Sequence, residues 1–537
     1  MTSLLATAIA AHHAGRLDQA EAGYRSLLAA EPGHPDAYKY HYNLAATLQG
    51  QGREGEALEH YRKASLAAPP AVTTVGLALA QLLCGLGRPA EAELEFRRII
   101  AVQPRDAAVH FSLASALQTQ GKLEEAEDSY RAALEYRPGH APTLVNLGTV
   151  LQGQGRLNDA AAVHRQALKA EPDFAPAHVN LGAVLQAQGK MMEAVKHYRK
   201  ALTLNPTSAQ VLFNLGTAVQ TVGWLDEAVR CYQDALRLAP AYAEAANNLG
   251  LALEAKGHLH EAAASFAEAC RLQPLRSQFH NALGCCLYAL GRRDSEGCRD
   301  RARQWLAAHP EQPIARHMAC ALLAEDPPPD QPPAGYVRAL FEGFASSFEH
   351  ELLSIGYCGP QLTAAAFARL IRVPKGDLAV LDAGCGTGLC GPVLRPYART
   401  LTGIDISASM LDHARSRGLY DILQEAELTV WLKDHSCAFD LIAAADVLCY
   451  FGDLGPVLGW LAGALKPGGA LTFTVEQASR PDLSHVLAPH GRYFHGETVL
   501  RALLAAHGLG IAHLFTTNLR YENSQPSPNL VVLAVRS

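Results

Sequence analysis

Aromatic residues make up only 7% of the 537 residues and charged residues only 18%, whereas 49% are hydrophobic. So few aromatic side chains beside abundant alanine point to small-residue packing, and the composition excludes a disordered or fibrous chain. A basic excess is missing as well. The 46 Lys and Arg against 52 Asp and Glu leave a formal charge of −6, the wrong sign for gripping a phosphate backbone, so no nucleic-acid partner is expected. Twelve cysteines form neither a CxxC pair nor a Cys/His cluster at zinc spacing. Cys285 and Cys286 adjoin and the others are scattered, which reads as reduced thiols in a cytoplasmic protein with no metal site. No run approaches the roughly 20 apolar residues of a membrane span. The apolar stretch from Leu4 to Ala14 has no charged segment before it, which favours a repeat helix over a signal peptide. Against a typical domain of about 150 residues, the length implies three to four domain-equivalents.

What the chain has in quantity is repetition. Glycine recurs at Gly87, Gly121, Gly155, Gly189, Gly223, Gly257 and Gly291, each 34 residues after the last, with Gly15 and Gly52 ahead of them at intervals of 37 and 35. Five residues after each of the first eight comes alanine, at Ala20, Ala57, Ala92, Ala126, Ala160, Ala194, Ala228 and Ala262. Prolines close the units at Pro32, Pro69, Pro104, Pro138, Pro172, Pro206, Pro240 and Pro274, where a helix should stop. A unit such as 176–209, PAHVNLGAVLQAQGKMMEAVKHYRKALTLNPTSA, holds two segments of helical periodicity around a glycine turn, which is a helix hairpin. The period, the Leu-Gly pair, the turn glycine, the alanine, the aromatic and the closing proline make residues 1–324 resemble about nine tetratricopeptide repeats, the ninth degenerate at Glu296. The resemblance implies an all-α superhelix whose concave face binds partners.

Asn43, Asn146, Asn180, Asn214 and Asn248 stand immediately before the leading leucine of their units, with Ala78, Ser112 and Ala282 interrupting the row. In arrays similar to that of O-linked N-acetylglucosamine transferase, asparagines at this place line the concave groove and hold an extended peptide. An amide carries two donors and an acceptor, so a ladder of them can grip main chain of any sequence. The resemblance thus implies a protein or peptide on Asn146, Asn180, Asn214 and Asn248. The alternative is that each asparagine only bonds a neighbouring helix.

Residues 325–335, EDPPPDQPPAG, carry five prolines and read as a semi-rigid spacer and domain boundary. Beyond it, from 336 to 537, short apolar runs alternate with helical stretches, the pattern of a parallel sheet with crossover helices. Leu378 to Leu381 leads into Asp382 and then Ala-Gly-Cys-Gly-Thr-Gly over 383–388, followed by a helix-like stretch from Leu389. Strand, glycine loop and helix let a nucleotide-like ligand approach bare backbone. A second strand ends in Thr402-Gly-Ile-Asp405, whose carboxylate lies 21 residues after Gly384, about the spacing that reaches ribose hydroxyls. The dinucleotide pattern would need a third glycine where Leu389 stands, so a nicotinamide oxidoreductase is the weaker reading.

The order Asp-x-Gly-x-Gly-x-Gly is similar to motif I of class I S-adenosylmethionine-dependent methyltransferases. Phe439-Asp-Leu-Ile442 looks like that family's fourth strand and Leu465-Lys-Pro-Gly-Gly469 like the turn before its fifth, Leu471 to Glu476. Ile511 to Phe515 and Leu530 to Val535 would supply the closing antiparallel pair. Phe341 to Phe348, Leu401 to Met410, Ala444 to Leu448 and Gly491 to His495 further resemble bacterial methyltransferases that carry tetratricopeptide repeats. The implied fold is a Rossmann-like α/β domain with a seven-stranded, mostly parallel sheet, and the implied cofactor is S-adenosyl-L-methionine.

By that resemblance Gly384, Cys385, Gly386 and Gly388 would pass close to the methionine and ribose moieties, unless the glycines merely make a tight turn. Asp382 would orient the cofactor's amino end, Asp405 would accept the ribose hydroxyls and Ile406 would lie on the adenine. Glu425 and Ala426 stand nearest the family's Asp-Ala for the adenine amino group, with Glu427 as competitor. Methyl transfer needs the acceptor held at attack distance, and a base only where the acceptor must lose a proton. Acceptor-side candidates are Asp446 and Tyr450 past the fourth strand, and Tyr493 and His495 in an expected loop. Asp446 could instead cap the next helix, and His495 could be a surface residue at a helix start. Phe344 and Phe348, four apart, would either cover the site or simply pack. The nucleic-acid amino-methylation motif is absent at Ala445-Asp-Val-Leu448. A small-molecule acceptor with repeats used for assembly, or a scaffold with a silent cofactor domain, are the competing readings.

Overall fold

The computed structural model describes residues 2–30, 33–324, 327–333, 335–344, 348–370, 373–522 and 525–537, with the side chains of 2–3, 343–344, 351, 521–522 and 525–526 outside it as well. Pro32, Glu325, Asp326, Ala334, the segment 345–347 and the Phe344 side chain therefore lie outside the described residues. The chain divides into two compact units, Met1–Leu238 and Ala239–Ser537.

In the first unit fourteen described helices, from Thr2–His13 to Leu225–Leu238, form hairpins at the predicted period. The stretch beginning at Leu4 is the first of them. Alanine after the turn glycine is obligatory because the second helix of each hairpin lies directly on the first: Ala20, Ala57, Ala92, Ala126, Ala160, Ala194 and Ala228 are all completely buried. The Leu-Gly pair has a similar cause. A Cβ on Gly182 would lie 2.7 Å from the ring of Tyr198, and one on Gly216 equally close to Tyr232. Those rings keep their polar ends satisfied, since the hydroxyls of Tyr130, Tyr198 and Tyr232 donate to Gln118, Gln186 and Gln220 at 2.9, 3.0 and 2.7 Å. The fifth repeat departs from this. It places His164 at the ring position, fully buried, with neither ring nitrogen partnered.

The second unit opens with five further helices, Ala243–Ala255, Leu259–Leu272, Ser277–Gly291, Ser295–Ala308 and Pro313–Leu323. The degenerate ninth repeat still folds as a hairpin. Its first helix runs through Gly291, and the next is capped by Asp294, whose carboxylate accepts from Gly297 N at 3.0 Å. The proline-rich segment, expected as a boundary, lies inside this unit. The Asp330 carbonyl accepts from Gly452 N at 3.1 Å and Asp453 N at 2.9 Å, which fastens the segment to the α/β domain.

That domain is one sheet of β1 (Leu378–Ala383), β2 (Ala398–Asp405), β3 (Ile422–Glu425), β4 (Phe439–Ala444), β5 (Leu465–Gln477), β6 (His485–Leu487), β7 (Tyr493–His495), β8 (Leu509–Glu522) and β9 (Gln525–Arg536). Its order is β3-β2-β1-β4-β5-β7-β6, with β9 antiparallel to β5 and β8 antiparallel to β9. The central strands are buried on both faces, as parallel strands under crossover helices must be. Val380, Leu441 and Ala470 pack into one layer, while their neighbours Leu381, Ile442 and Leu471 pack into the other.

The closing antiparallel pair lies where the late apolar runs predicted it, but the described residues of the sheet form nine strands rather than seven. The cause is the length of β5. Ala444 at the end of β4 pairs with Phe473, so β5 outruns β4, and the exposed edge at Glu476 and Gln477 is taken by Phe494 and His495 of β7. Residues 493–495, expected in a loop, are therefore a strand. The helix expected from Leu389 is also only Gly391–Leu394 before a tighter turn over Arg395–Tyr397.

Candidate active site

The glycine loop leaves β1 at the carboxyl end of the sheet, where ligands bind in folds of this type. Gly384 has φ +70°, and a Cβ there would stand 2.6 Å from Val447 Cγ2. The position needs glycine for its backbone and for its space. Gly386 N donates to Asp405 Oδ2 at 2.8 Å, Ser407 N donates to Asp405 Oδ1 at 3.0 Å, and Cys385 N donates to the Ile404 carbonyl at 2.9 Å. The second strand's terminal carboxylate thus braces the loop. Burial pushes its carboxyl upward while the amides of Ser407, Gly386 and Ile406 hold it down.

Asp382 is 2% exposed and accepts from the Tyr420 hydroxyl at 2.6 Å. Burial pushes it up to about 7, with the Tyr420 bond opposing and the neighbouring Asp405 charge adding to the rise. Gly388 does not line the cavity. It packs against the helix Ala408–Ser416, where a Cβ would come within 3.2 Å of the Ala414 backbone.

A cavity of about 730 Å³ opens over these elements, lined among others by Asp382, Gly384, Cys385, Gly386, Asp405, Ile406, Ala426, Glu427, Asp446 and Tyr450. Ile406, Met410 and Leu428 give it an apolar shelf beside the Asp405 carboxylate, and a hydrogen-bond acceptor next to an apolar surface fits a ribose and its flat base. Glu425 is not among the lining residues; it ion-pairs with Arg338. Glu427 lines the cavity but spends its carboxylate on Thr429 N at 3.0 Å and Val430 N at 2.8 Å, capping the helix that follows. Phe348 lines the cavity and meets Phe341 edge-on at 5.9 Å.

On the other half of the sheet the cavity is walled by Asp446 and Tyr450. Asp446 adopts φ +58°, rare for a residue with a Cβ. Its amide donates to Thr474 Oγ1 at 2.9 Å and its carboxylate receives Arg520 Nη1 at 2.8 and 2.7 Å. Burial raises this carboxyl, and the charge of Arg492 opposes the rise. Arg520 also meets the fully buried Glu476, which Arg492 reaches at 3.2 Å. Asp446 is therefore a paired anion and not a helix cap.

Tyr493 and His495 stand elsewhere. Both are buried, neither lines the cavity, and His495 Nε2 donates to the Phe451 and Gly452 carbonyls at 2.9 and 3.1 Å. Burial lowers His495 to about 4, so it is neutral and ties β7 to the 451–452 segment rather than starting a surface helix. The residues of this segment that do reach the cavity are His490 and Arg492. Side chains alternate along a strand, so Tyr493 and His495 turn into the core while Arg492 turns out. The signal is the parity of the strand Tyr493–His495.

In the repeats, Asn180 Nδ2 donates to Thr149 Oγ1 at 3.3 Å, Gln210 donates to Asn214 Oδ1 at 3.0 Å, Asn146 bonds the Tyr130 hydroxyl, and all three are half-buried. Asn248, in the second unit, accepts from Asn247 at 3.3 Å. Each asparagine has a local partner and keeps further donor or acceptor capacity. Among the described residues no helix is long and apolar enough to cross a membrane, and no disulfide joins the cysteines.

A family model described as a methyltransferase domain matches residues 381–471, and tetratricopeptide-repeat models match 77–141, 117–185, 173–241 and 213–277. Among curated proteins, a ubiquinone biosynthesis O-methyltransferase of Coxiella burnetii is 33% identical over 99 residues, 18% of this chain and 42% of that protein. A malonyl-[acyl-carrier protein] O-methyltransferase of Acetivibrio thermocellus is 34% identical over 103 residues, 19% of this chain and 36% of that protein. The chain spans less than half the length of these curated relatives. A crystal structure of MamA is 25% identical, covering 30% of this chain and 95% of that one with a TM-score of 0.29. The matched stretch of 381–471 runs from the end of β1 into β5 and so contains the glycine loop and Asp405. Residues 77–277 are thus similar to tetratricopeptide repeats and residues 381–471 to a methyltransferase domain.

Proposed function

We propose that this chain is an S-adenosylmethionine-dependent methyltransferase whose repeats bind a protein or peptide, as substrate or as docking partner. The observation that carries the reading is the bond from Gly386 N to Asp405, which fixes the glycine loop against a cavity-lining carboxylate. Bound S-adenosylmethionine supplies an electrophilic methyl group on a sulfonium. The chain's own groups would bind and orient. Asp405 takes the ribose hydroxyls, Ile406 and Ala426 pack the base, and Asp382 faces the amino end while Tyr420 holds its carboxylate. Cys385 and Gly386 bring the loop backbone against the ligand. Phe348 and Phe341 cover the apolar side and exclude water.

On the acceptor side Tyr450, Arg492 and His490 line the remaining wall. Asp446 acts by holding that wall through Arg520, since its carboxylate is already committed. Both relatives named above are O-methyltransferases, which favours oxygen as the accepting atom.

Calorimetric titration of the full chain with S-adenosylmethionine and, separately, with NAD tests the donor. Saturable binding of the first alone, lost in Asp405→Ala, is expected; NAD binding instead would overturn the reading. Recruitment is tested by Asn146→Ala, Asn180→Ala and Asn214→Ala combined. An undiminished yield of partner captured from lysate by the triple variant would remove the peptide groove.

A further inference from the structure

We propose that the last repeats are part of the acceptor compartment, with Asn281 and Cys285 of the helix Ser277–Gly291 and Met318 of the helix Pro313–Leu323 forming the wall against which the methyl-accepting group rests. The inference rests on the methyltransferase reading above. All three residues line the same cavity as the glycine loop. Asn281 and Cys285 are four apart, hence on one helix face, and Tyr288, one turn further, meets the His490 ring at 6.0 Å.

The side of the cavity is decided by what these helices touch. Donor-binding candidates lie on the β3-β2-β1 half of the sheet, whereas the repeat helices are seated on the turn between β6 and β7 at the opposite end. His317 Nε2 donates to the Gly491 carbonyl at 2.8 Å. A Cβ on Gly491 would stand 2.7 Å from Met318 Sδ and 2.8 Å from the Tyr336 hydroxyl. Gly491 separates His490 from Arg492, both cavity-lining, so the repeats hold in place the segment that supplies the acceptor wall. The Asp330 carbonyl does the same for the 452–453 segment beside Tyr450. Asn281, Cys285 and Met318 add an amide, a thiol and a thioether, groups suited to an uncharged acceptor held by packing and single hydrogen bonds. Cys285 is also exposed, so this wall borders the entrance.

The test uses the full chain with methyl-labelled S-adenosylmethionine as probe and lysate of the source cells as the supply of acceptors. Cys285→Trp fills the compartment, Asn281→Ala removes the amide with little risk to folding, and Cys84→Trp, at an exposed site of the first unit, is the control. Expected are a loss of label transfer of about tenfold or more in Cys285→Trp and a smaller loss in Asn281→Ala. Donor affinity, read by calorimetry, should stay within about threefold of the parent in both. Unchanged transfer in both variants overturns the inference and leaves the enzyme reading standing. Transfer and donor affinity falling together also overturn it, because the wall would then belong to the donor. A parent chain that labels nothing removes the methyltransferase reading and this inference with it.

Discussion

Gly189 in the repeats and Gly384 in the α/β domain share a left-handed backbone, φ +76° and +70°, yet they answer to different constraints. Around Gly189 a Cβ would meet nothing within 4 Å, whereas around Gly384 it would collide with Val447. A repeat turn asks only for a conformation. The loop asks for conformation and room together, because a neighbouring side chain has already closed on it. The array can therefore drift in sequence where the loop cannot.

The sharpest break of that comparison is one substitution made in both places. Gly384→Asn should cost about 3 kcal/mol of donor binding, roughly 100-fold by calorimetry, because asparagine tolerates the backbone but not the contact. Gly189→Asn should cost less than about 1 kcal/mol in chemical denaturation. Equal costs would mean that the loop, like the turn, is limited by backbone alone.

A smaller effect of opposite sign is expected at His164. Tyrosine at that ring position bonds a glutamine twelve residues earlier in three neighbouring repeats, and the fifth repeat keeps Gln152 at the matching place. His164→Tyr should stabilise the chain by about 1–3 kcal/mol by replacing two unpartnered buried nitrogens with one satisfied hydroxyl. Burial lowers the folded His164 to about 4 from an ordinary 6.5. Between those values the unfolded chain binds more protons, so stability is lost as pH falls, and the variant should flatten that part of the melting profile.

Asp382 gives the mirror image. Its carboxyl titrates near 7 when folded against an ordinary 3.8, so the folded chain binds more protons in that window and stability falls as pH rises. Asp382→Asn should reduce this slope in melting temperatures taken from pH 4 to 7. An unchanged slope would place the proton on another group.

The repeats were legible because their signals are local: a turn glycine, the alanine it delivers to the neighbouring helix and a ring over a helical glycine all recur within 34 residues. The glycine loop and Asp405 were legible for the same reason, as two strand ends of fixed spacing. What sequence could not give was register across distance. Glu425 meets Arg338, 87 residues away, and Asp446 meets Arg520, 74 residues away. Tyr493 and His495 turned inward because β5 outgrew β4 and recruited a strand that no local pattern announced.

The hydrogen bond from His317 to Gly491 also constrains how such a chain can evolve. Repeat arrays lengthen by duplicating a hairpin, and a unit gained within residues 1–238 would leave every residue of the cavity wall untouched. A unit gained between Ser277 and Leu323 would displace Asn281, Cys285 or Met318 from it. Growth is therefore open toward the amino terminus and closed at the carboxyl end, and natural variation in repeat number should be confined accordingly.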